Sequence, residues 1–311
     1  MRIGVPRALS FFRFHPAWKT FFKELGAEMV VSPPTNRTTL EAGKSYALPE
    51  NCLPLKLFFG HVHSLIGEVD ALLVPSIHRL AHGSTNCANL IGLPDILKSL
   101  MPDLPPLISP DIDMSEGGRA VWKMVLKEGG RFSRNPLLLR DATQAAWADY
   151  LRARAAMLER RLTPAGFDGL DEKQPSNNSG LIVAVVGHPY NLYDPFINHN
   201  LLTRLERLGI NYLTPESLGP WPTTDYWTFE YELVGAARLA LARGDVVGCI
   251  AVAAFGCGAD AVMLEEVQKL TAKAGIPMMN LILDEHSGEA GLVTRIEAFV
   301  DMLKWREKAD G

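Results

Sequence analysis

The stretch Val246-Val247-Gly248-Cys249-Ile250-Ala251-Val252-Ala253-Ala254-Phe255-Gly256-Cys257-Gly258-Ala259-Asp260 decides the fold. Its apolar and small residues from Val246 to Phe255, bounded by Asp245 and Gly256, predict a strand buried on both faces, and Ala259 to Ala274 predicts the helix that follows. A strand of that kind belongs to a parallel sheet, and Cys257 falls at its carboxyl end, where open α/β sheets bind ligands. The flanking Gly256 and Gly258 let backbone approach closely. A thiol at a helix N-terminus is expected to ionise more readily than a free one.

Outward from this stretch the same alternation recurs. In the first half, strands are expected at Arg2 to Ala8, Glu28 to Ser32, Ala71 to Pro75 and Pro106 to Ile112. Helices are expected at Pro16 to Leu25, Thr38 to Tyr46, from Cys52 to about Ile66, at Ile91 to Met101 and at Ser115 to Glu128. Pro54 suits a first helical turn and puts Cys52 at or next to the N-cap, while His78 to Asn86 reads as a polar loop leading to Cys87. A long Ala-, Leu- and Arg-rich helix from about Pro136 to Leu162 closes this half. Pro, Gly, Ser and Asn crowd residues 163–180, the composition of a linker. Beyond it come strands at Leu181 to Gly187, Ile210 to Thr214 and Pro277 to Asp284, with helices at Phe196 to Leu208, Trp227 to Ala242 and Ala290 to Glu307. A loop holding Gly219-Pro220-Trp221-Pro222 interrupts them. The expected fold is therefore α/β: two Rossmann-like, doubly wound domains with mostly parallel sheets, at 1–162 and 181–311, and a site in the crevice between them.

Composition narrows the function classes. With 311 residues, 47% of them hydrophobic and 21% charged, the chain has material for two α/β cores. A net charge of −4 leaves no electrostatic footprint for nucleic acid, and the basic face of the long helix is interrupted by Asp141, Asp149 and Glu159. No apolar run approaches a membrane span, and Met1-Arg2-Ile3-Gly4-Val5-Pro6 does not read as a signal peptide. A cytoplasmic location follows as the expectation. In that compartment Cys52, Cys87, Cys249 and Cys257 are read as thiols or metal ligands rather than disulfides.

Cys52, Cys87 and Cys257 each follow a strand or open a helix, whereas Cys249 lies inside the apolar strand and reads as core. Their spacing matches neither zinc ribbons nor ferredoxins, so three alternatives stand: a [4Fe–4S] cluster on three thiolates, a zinc ion completed by His61, His78, His82 or His188, or unrelated thiols. Lys56, one turn beyond Cys52, would offset the negative charge of a cluster. The segment Gly187-His188-Pro189-Tyr190-Asn191-Leu192-Tyr193-Asp194-Pro195 reaches the same crevice. His188 and Tyr190 are the candidates there for contact with a ligand or for catalysis, and Asp194 and Asn198 are candidate helix caps. Gly256-x-Gly258-x-x-Ala261 satisfies a relaxed dinucleotide fingerprint, but a cysteine fills its turn. Asp284-Glu285-His286-Ser287 offers a metal or base site or simply a strand end.

Longer motifs carry a resemblance: Ile3-Gly4-Val5-Pro6-Arg7-Ala8, Trp18-Lys19-Thr20-Phe21-Phe22, Cys52-Leu53-Pro54-Leu55-Lys56-Leu57-Phe58-Phe59-Gly60-His61, Gly92-Leu93-Pro94-Asp95, Gly187-His188-Pro189-Tyr190-Asn191, Gly256-Cys257-Gly258 and Asp284-Glu285-His286-Ser287-Gly288-Glu289-Ala290-Gly291. Through them the chain resembles acyl-CoA dehydratase activase-related proteins, which are similar to the subunits of 2-hydroxyacyl-CoA dehydratases. The resemblance implies an iron–sulfur protein in which Cys52, Cys87 and Cys257 hold a [4Fe–4S] cluster, alone or as part of a double cluster. It also implies an ATP-dependent activase as the source of a low-potential electron, an acyl-CoA substrate for reductive or radical chemistry, and a homo- or heterodimer. The other reading is a non-catalytic binding or assembly subunit whose cysteines carry zinc or nothing.

Overall fold

The computed structural model describes residues 1–80, 83–115, 117–167, 180–219, 227–286 and 288–310. The first half runs β1 (Arg2–Val5), α1 (Phe11–Glu24), β2 (Glu28–Val31), α2 (Arg37–Tyr46), α3 (Leu53–His63), β3 (Ala71–Leu73), β4 (Ser76–Arg79), α4 (Ala88–Ile91), α5 (Leu93–Leu100), β5 (Leu107–Ile108), β6 (Asp111–Asp113), α6 (Gly118–Gly129) and α7 (Pro136–Leu158). The second runs β7 (Ile182–Val186), α8 (Pro189–Leu192), α9 (Leu201–Arg207), β8 (Asn211–Leu213), α10 (Thr228–Ala242), β9 (Val246–Ala254), α11 (Gly258–Ala274), β10 (Met278–Leu283) and α12 (Glu289–Asp310). Residues 168–179 of the linker expected at 163–180, residues 220–226, His82 and Ser287 lie outside the described residues.

Two four-stranded sheets result, ordered β2-β1-β3-β5 and β10-β9-β7-β8, and every pairing in them is parallel. This is a mixed α/β fold. In each sheet the first strand of its half pairs with the second on one side and with the third on the other. The carboxyl ends of β1 and β3, and of β7 and β9, are thus points where the winding reverses and a crevice opens.

The period-2 alternation of β7 shows why these runs are strands. Val183 and Val185 pack in one buried cluster with Leu201, Leu205 and Ile296, while Ala184 and Val186 pack in another with Leu233, Ala237 and Val267. Helices therefore cover both faces, as a parallel sheet requires. Cys249 and Ala251 share the second face, so Cys249 is a core residue, fully buried. The largest buried cluster draws on both sheets, joining Ile3, Val5 and Leu73 to Val185, Ile250 and Leu283.

Several boundaries differ from the sequence reading for identifiable reasons. Helix α1 begins at Phe11, with Pro16 inside it, because Phe11, Phe12, His15 and Phe22 bury along its inner face. That burial outweighs the one backbone hydrogen bond Pro16 cannot donate. Part of the expected polar loop pairs instead as β4 with β6, parallel, from Ser76 opposite Asp111. The stretch read as a single strand from Pro106 is split into β5 and β6, with Pro110 in the gap. The helix expected from Ile91 is broken at Gly92 into α4 and α5. Helix α9 starts only at Leu201, since His199 and Asn200 have φ of 51° and 61° and cannot continue a right-handed turn.

Candidate functional site

The three cysteines outside the core share one local design. Cys52 is the N-cap of α3, with proline in the first turn; Cys87 is the N-cap of α4, and Cys257 that of α11. All three are partly buried and none is in a disulfide. Cys257 Sγ accepts the backbone N–H of Asp260 at 3.4 Å. The turn before it lies directly on the Cys52 loop. Gly256 has φ of +79°, and a Cβ there would sit 3.2 Å from the Glu50 carbonyl oxygen and 3.5 Å from Cys52 Cα. Cys52 and Cys87 pack against the same apolar cluster, and Tyr190 joins them there.

Electrostatics departs from the sequence expectation. Burial pushes the Cys52 thiol up to about 11, with the nearby Cys87 and Asp260 adding to it. Burial likewise raises Cys257, and the Asp260 carboxylate raises it further. The Asp260 N–H pulls the other way but does not prevail. The thiol expected to ionise readily is instead held protonated, because a carboxylate three residues on and the loss of solvent outweigh the helix terminus. Cys249 is raised to about 12 by burial alone.

Asp260 is the pivot of the site and has no counterpart in the sequence reading. It is fully buried; one carboxylate oxygen accepts the Ala254 N–H at 2.8 Å, and the other lies 2.9 Å from His188 Nε2. Glu230 stands 3.7 Å from the same imidazole. Burial disfavours a charged His188, but the pull of Asp260 and then Glu230 holds its pKa above the ordinary value. Burial raises Glu230 as well. Tyr190 stacks on His188 with centroids 4.9 Å apart, and burial drives its phenol well above the ordinary range. His188 and Tyr190 therefore reach the neighbourhood of the cysteines, one through Asp260 and the other by packing. Lys56, 5% exposed, donates to Glu285 at 2.6 Å and to the Pro49 carbonyl at 3.1 Å, tying the Cys52 helix to the loop after β10.

Two buried amides lack partners among the described residues. Asn86, immediately before Cys87, and Asn191, immediately after Tyr190, are 3% and 0% exposed, and neither side chain makes a hydrogen bond through its nitrogen or its oxygen. Leaving such a group unpaired costs about 1–3 kcal/mol. Asn86 precedes the Cys87 cap and Asn191 follows Tyr190, so each orphaned amide adjoins a residue of this site in the chain.

Of the histidines proposed to complete a zinc site, His61, His78 and His188 have other partners. The backbone N–H of Arg7 donates to Ser32 Oγ at 2.8 Å, Ser32 lies 2.9 Å from His61 Nδ1, and His61 Nε2 lies 3.0 Å from Thr35 Oγ1. Thr35 in turn donates to Asp194. The directions fix a neutral His61 that donates from Nε2, with both ring nitrogens used. Burial keeps its pKa near 3. His78 Nε2 meets Ser76 Oγ at 2.9 Å. Among the described residues no group of three or more His, Cys, Asp or Glu is set to hold a metal ion. The dinucleotide fingerprint fares no better, since the space before Gly256 is filled by the chain's own Glu50 and Cys52. The His286 backbone N–H donates to Asp284 Oδ1 at 2.6 Å, closing the turn after β10. The N-cap of α9 is Asn200 rather than Asp194 or Asn198: Asp194 accepts the Phe196 N–H at 3.0 Å in the turn before the helix, and Asn198 accepts the N–H of Leu201, the first residue of α9, at 3.2 Å.

Among the described residues no helix is long and apolar enough to cross a membrane. The family described as the CoA enzyme activase uncharacterised domain (DUF2229) matches residues 2–218. No curated protein matches the chain. A crystal structure of ZnuA aligns over 97% of this chain and 98% of that one, at 13% identity and a TM-score of 0.27, a likeness too slight to argue from. On the family match, which takes in more than half of its residues, the chain belongs to the CoA enzyme activase domain family.

Proposed function

We propose that this member of the CoA enzyme activase domain family is an iron–sulfur protein of the 2-hydroxyacyl-CoA dehydratase type. Its cluster is held by Cys52, Cys87 and Cys257 in a crevice between units spanning 1–162 and 181–311. The observation that carries the reading is the set of three partly buried N-cap cysteines, with the Cys257 turn lying against the Cys52 loop. When bound, a [4Fe–4S] cluster supplies one-electron redox chemistry and, with three thiolates, one iron not ligated by this chain.

A cluster and a single ion ask for different spacings of the three sulfurs. Thiolates on one tetrahedral zinc stand roughly 3.8 Å apart, as bonds of about 2.3 Å require. Thiolates on different irons of a cube stand farther apart. Asn86 and Asn191 offer amide donors to such a group's sulfides. Asp260, 2.9 Å from His188, ties His188 to the first turn of α11, and Lys56–Glu285 ties the Cys52 helix to the loop after β10. Tyr190 and Phe229 wall off His188 from water. Because the thiols of Cys52 and Cys257 are held protonated, loading releases their protons and is favoured as pH rises.

In this reading an ATP-dependent activase donates the electron, and an acyl-CoA is the substrate reduced or dehydrated. The test is anaerobic purification followed by iron, sulfide and zinc analysis. A brown protein with about four irons and as many sulfides per chain supports it. A colourless protein with one zinc, or with no metal after anaerobic reconstitution, shifts the account to a non-catalytic binding or assembly subunit.

A further inference from the structure

We infer that a cavity walled by α1, α6 and α7 takes the hydrocarbon chain of an amphiphile. It shares no lining residue with the cysteine site. The cavity measures about 210 Å³, and its wall is built of Trp18, Phe21, Val121, Met124, Phe132 and Trp147 together with further apolar side chains. Its threonine, glutamate and tyrosine side chains each have a polar neighbour. Thr143 donates to the Leu139 carbonyl at 2.7 Å, Glu128 pairs with Arg131 at 3.1 Å, and Tyr150 interacts with Arg13.

That wall selects the occupant. A water needs two to four polar partners, and among the buried side-chain polar atoms of this wall Glu128 Oε2 alone lacks a hydrogen bond. A peptide segment of another protein would bring an N–H and a C=O per residue with nothing to pair them, and each would cost free energy. A hydrocarbon chain has neither problem. An apolar cavity of about 150 Å³ accepts benzene, so this one has room for roughly eight carbons. Trp147 lines the cavity and is 53% exposed, so the cavity reaches the surface beside it. An amphiphile uses that opening to leave its polar end in water, whereas a free ring would gain nothing from it.

The probe is a series of fatty acids from butyrate to decanoate, titrated calorimetrically into the full chain. Affinity is expected to rise about fourfold per added methylene until roughly eight carbons are buried, then to level off. Ala146→Phe, which fills the cavity from α7, should weaken decanoate binding at least tenfold while leaving the melting temperature unchanged or higher. If that variant fails to fold, Val121→Trp fills the same space from α6. Affinity independent of chain length, or unchanged by filling, overturns the inference. So does a wild-type dimer that Trp147→Ala dissociates and that binds no decanoate, because a second copy then covers the face. Sedimentation with phosphatidylcholine vesicles, lost on filling, identifies a membrane lipid as the source of the chain, and decanoate binding without sedimentation identifies a soluble fatty acid. None of these variants touches a cysteine, so the outcome is independent of the metal analysis.

Discussion

Gly256→Ala perturbs the contact on which the geometry of the cysteine site rests. At φ of +79° a residue with a Cβ pays about 1–2 kcal/mol for the left-handed conformation. The new methyl also meets the Glu50 carbonyl oxygen at 3.2 Å, tighter than ordinary contact, so the Cys52 loop must yield. Together these should lower stability by about 2 kcal/mol. Gly258→Ala is the matched control, two residues on. Nothing lies within 4 Å of a Cβ there, its φ is not positive, and it is the first residue of α11, where alanine gains up to about 1 kcal/mol of helix propensity. Urea unfolding followed by circular dichroism should therefore separate the two variants by about 3 kcal/mol. Equal stabilities, or a neutral Gly256→Ala, would refute the placement of the Cys257 turn against Cys52.

Other consequences follow from buried titrating groups. His61 is 1% exposed with a pKa near 3 against an ordinary 6.5, so the unfolded chain binds the proton that the folded chain refuses. Stability is then fully present above pH 6.5 and falls by about 1.4 kcal/mol per unit as pH drops toward 3, or about 2 kcal/mol by pH 5. His61→Gln should remove that share of the slope from urea midpoints measured between pH 7 and 5, and an unchanged slope would contradict the neutral, doubly bonded imidazole. Asp194, raised to about 6 by burial, works in the opposite sense between 3.8 and 6 and is present in both proteins. For Cys52, with its thiol near 11, alkylation by iodoacetamide at pH 8 in the metal-free chain should run about 200-fold slower than at a free thiol. The rate, mapped by mass spectrometry, should climb tenfold per pH unit up to pH 10; a plateau near pH 8.5 would contradict the burial argument.

The parts of the fold legible in the sequence are those whose signals are local. The run Val246–Ala254 is apolar throughout because both its faces are covered, and Pro54 in the first turn of α3 marks Cys52 as its cap. The β4–β6 pair escaped the reading because only Ile77 of its first strand is a buried apolar residue, and its partner is supplied by a distant segment. The start of α1 was hidden by the preference of proline for a first turn, which the burial of Phe11 and Phe12 overrides. At the site, three cysteines could be picked out by their positions at strand ends and helix starts. Asp260 could not: it looks like any acid in a first helical turn until β7 brings His188 to within 2.9 Å of it. The same acid reverses the sign expected for the Cys257 thiol. The orphaned amides of Asn86 and Asn191 are invisible in sequence for a related reason, since polar residues in loops are normally solvated.

Low-temperature EPR of the anaerobically reconstituted, reduced protein, compared across single cysteine variants, tests the central claim most directly. Signal and iron should be lost in Cys52→Ala, Cys87→Ala and Cys257→Ala, and both should persist in Cys249→Ala, whose sulfur is locked in the core of the second sheet. An iron–sulfur signal that survives loss of Cys257, or that vanishes with Cys249, would contradict the account.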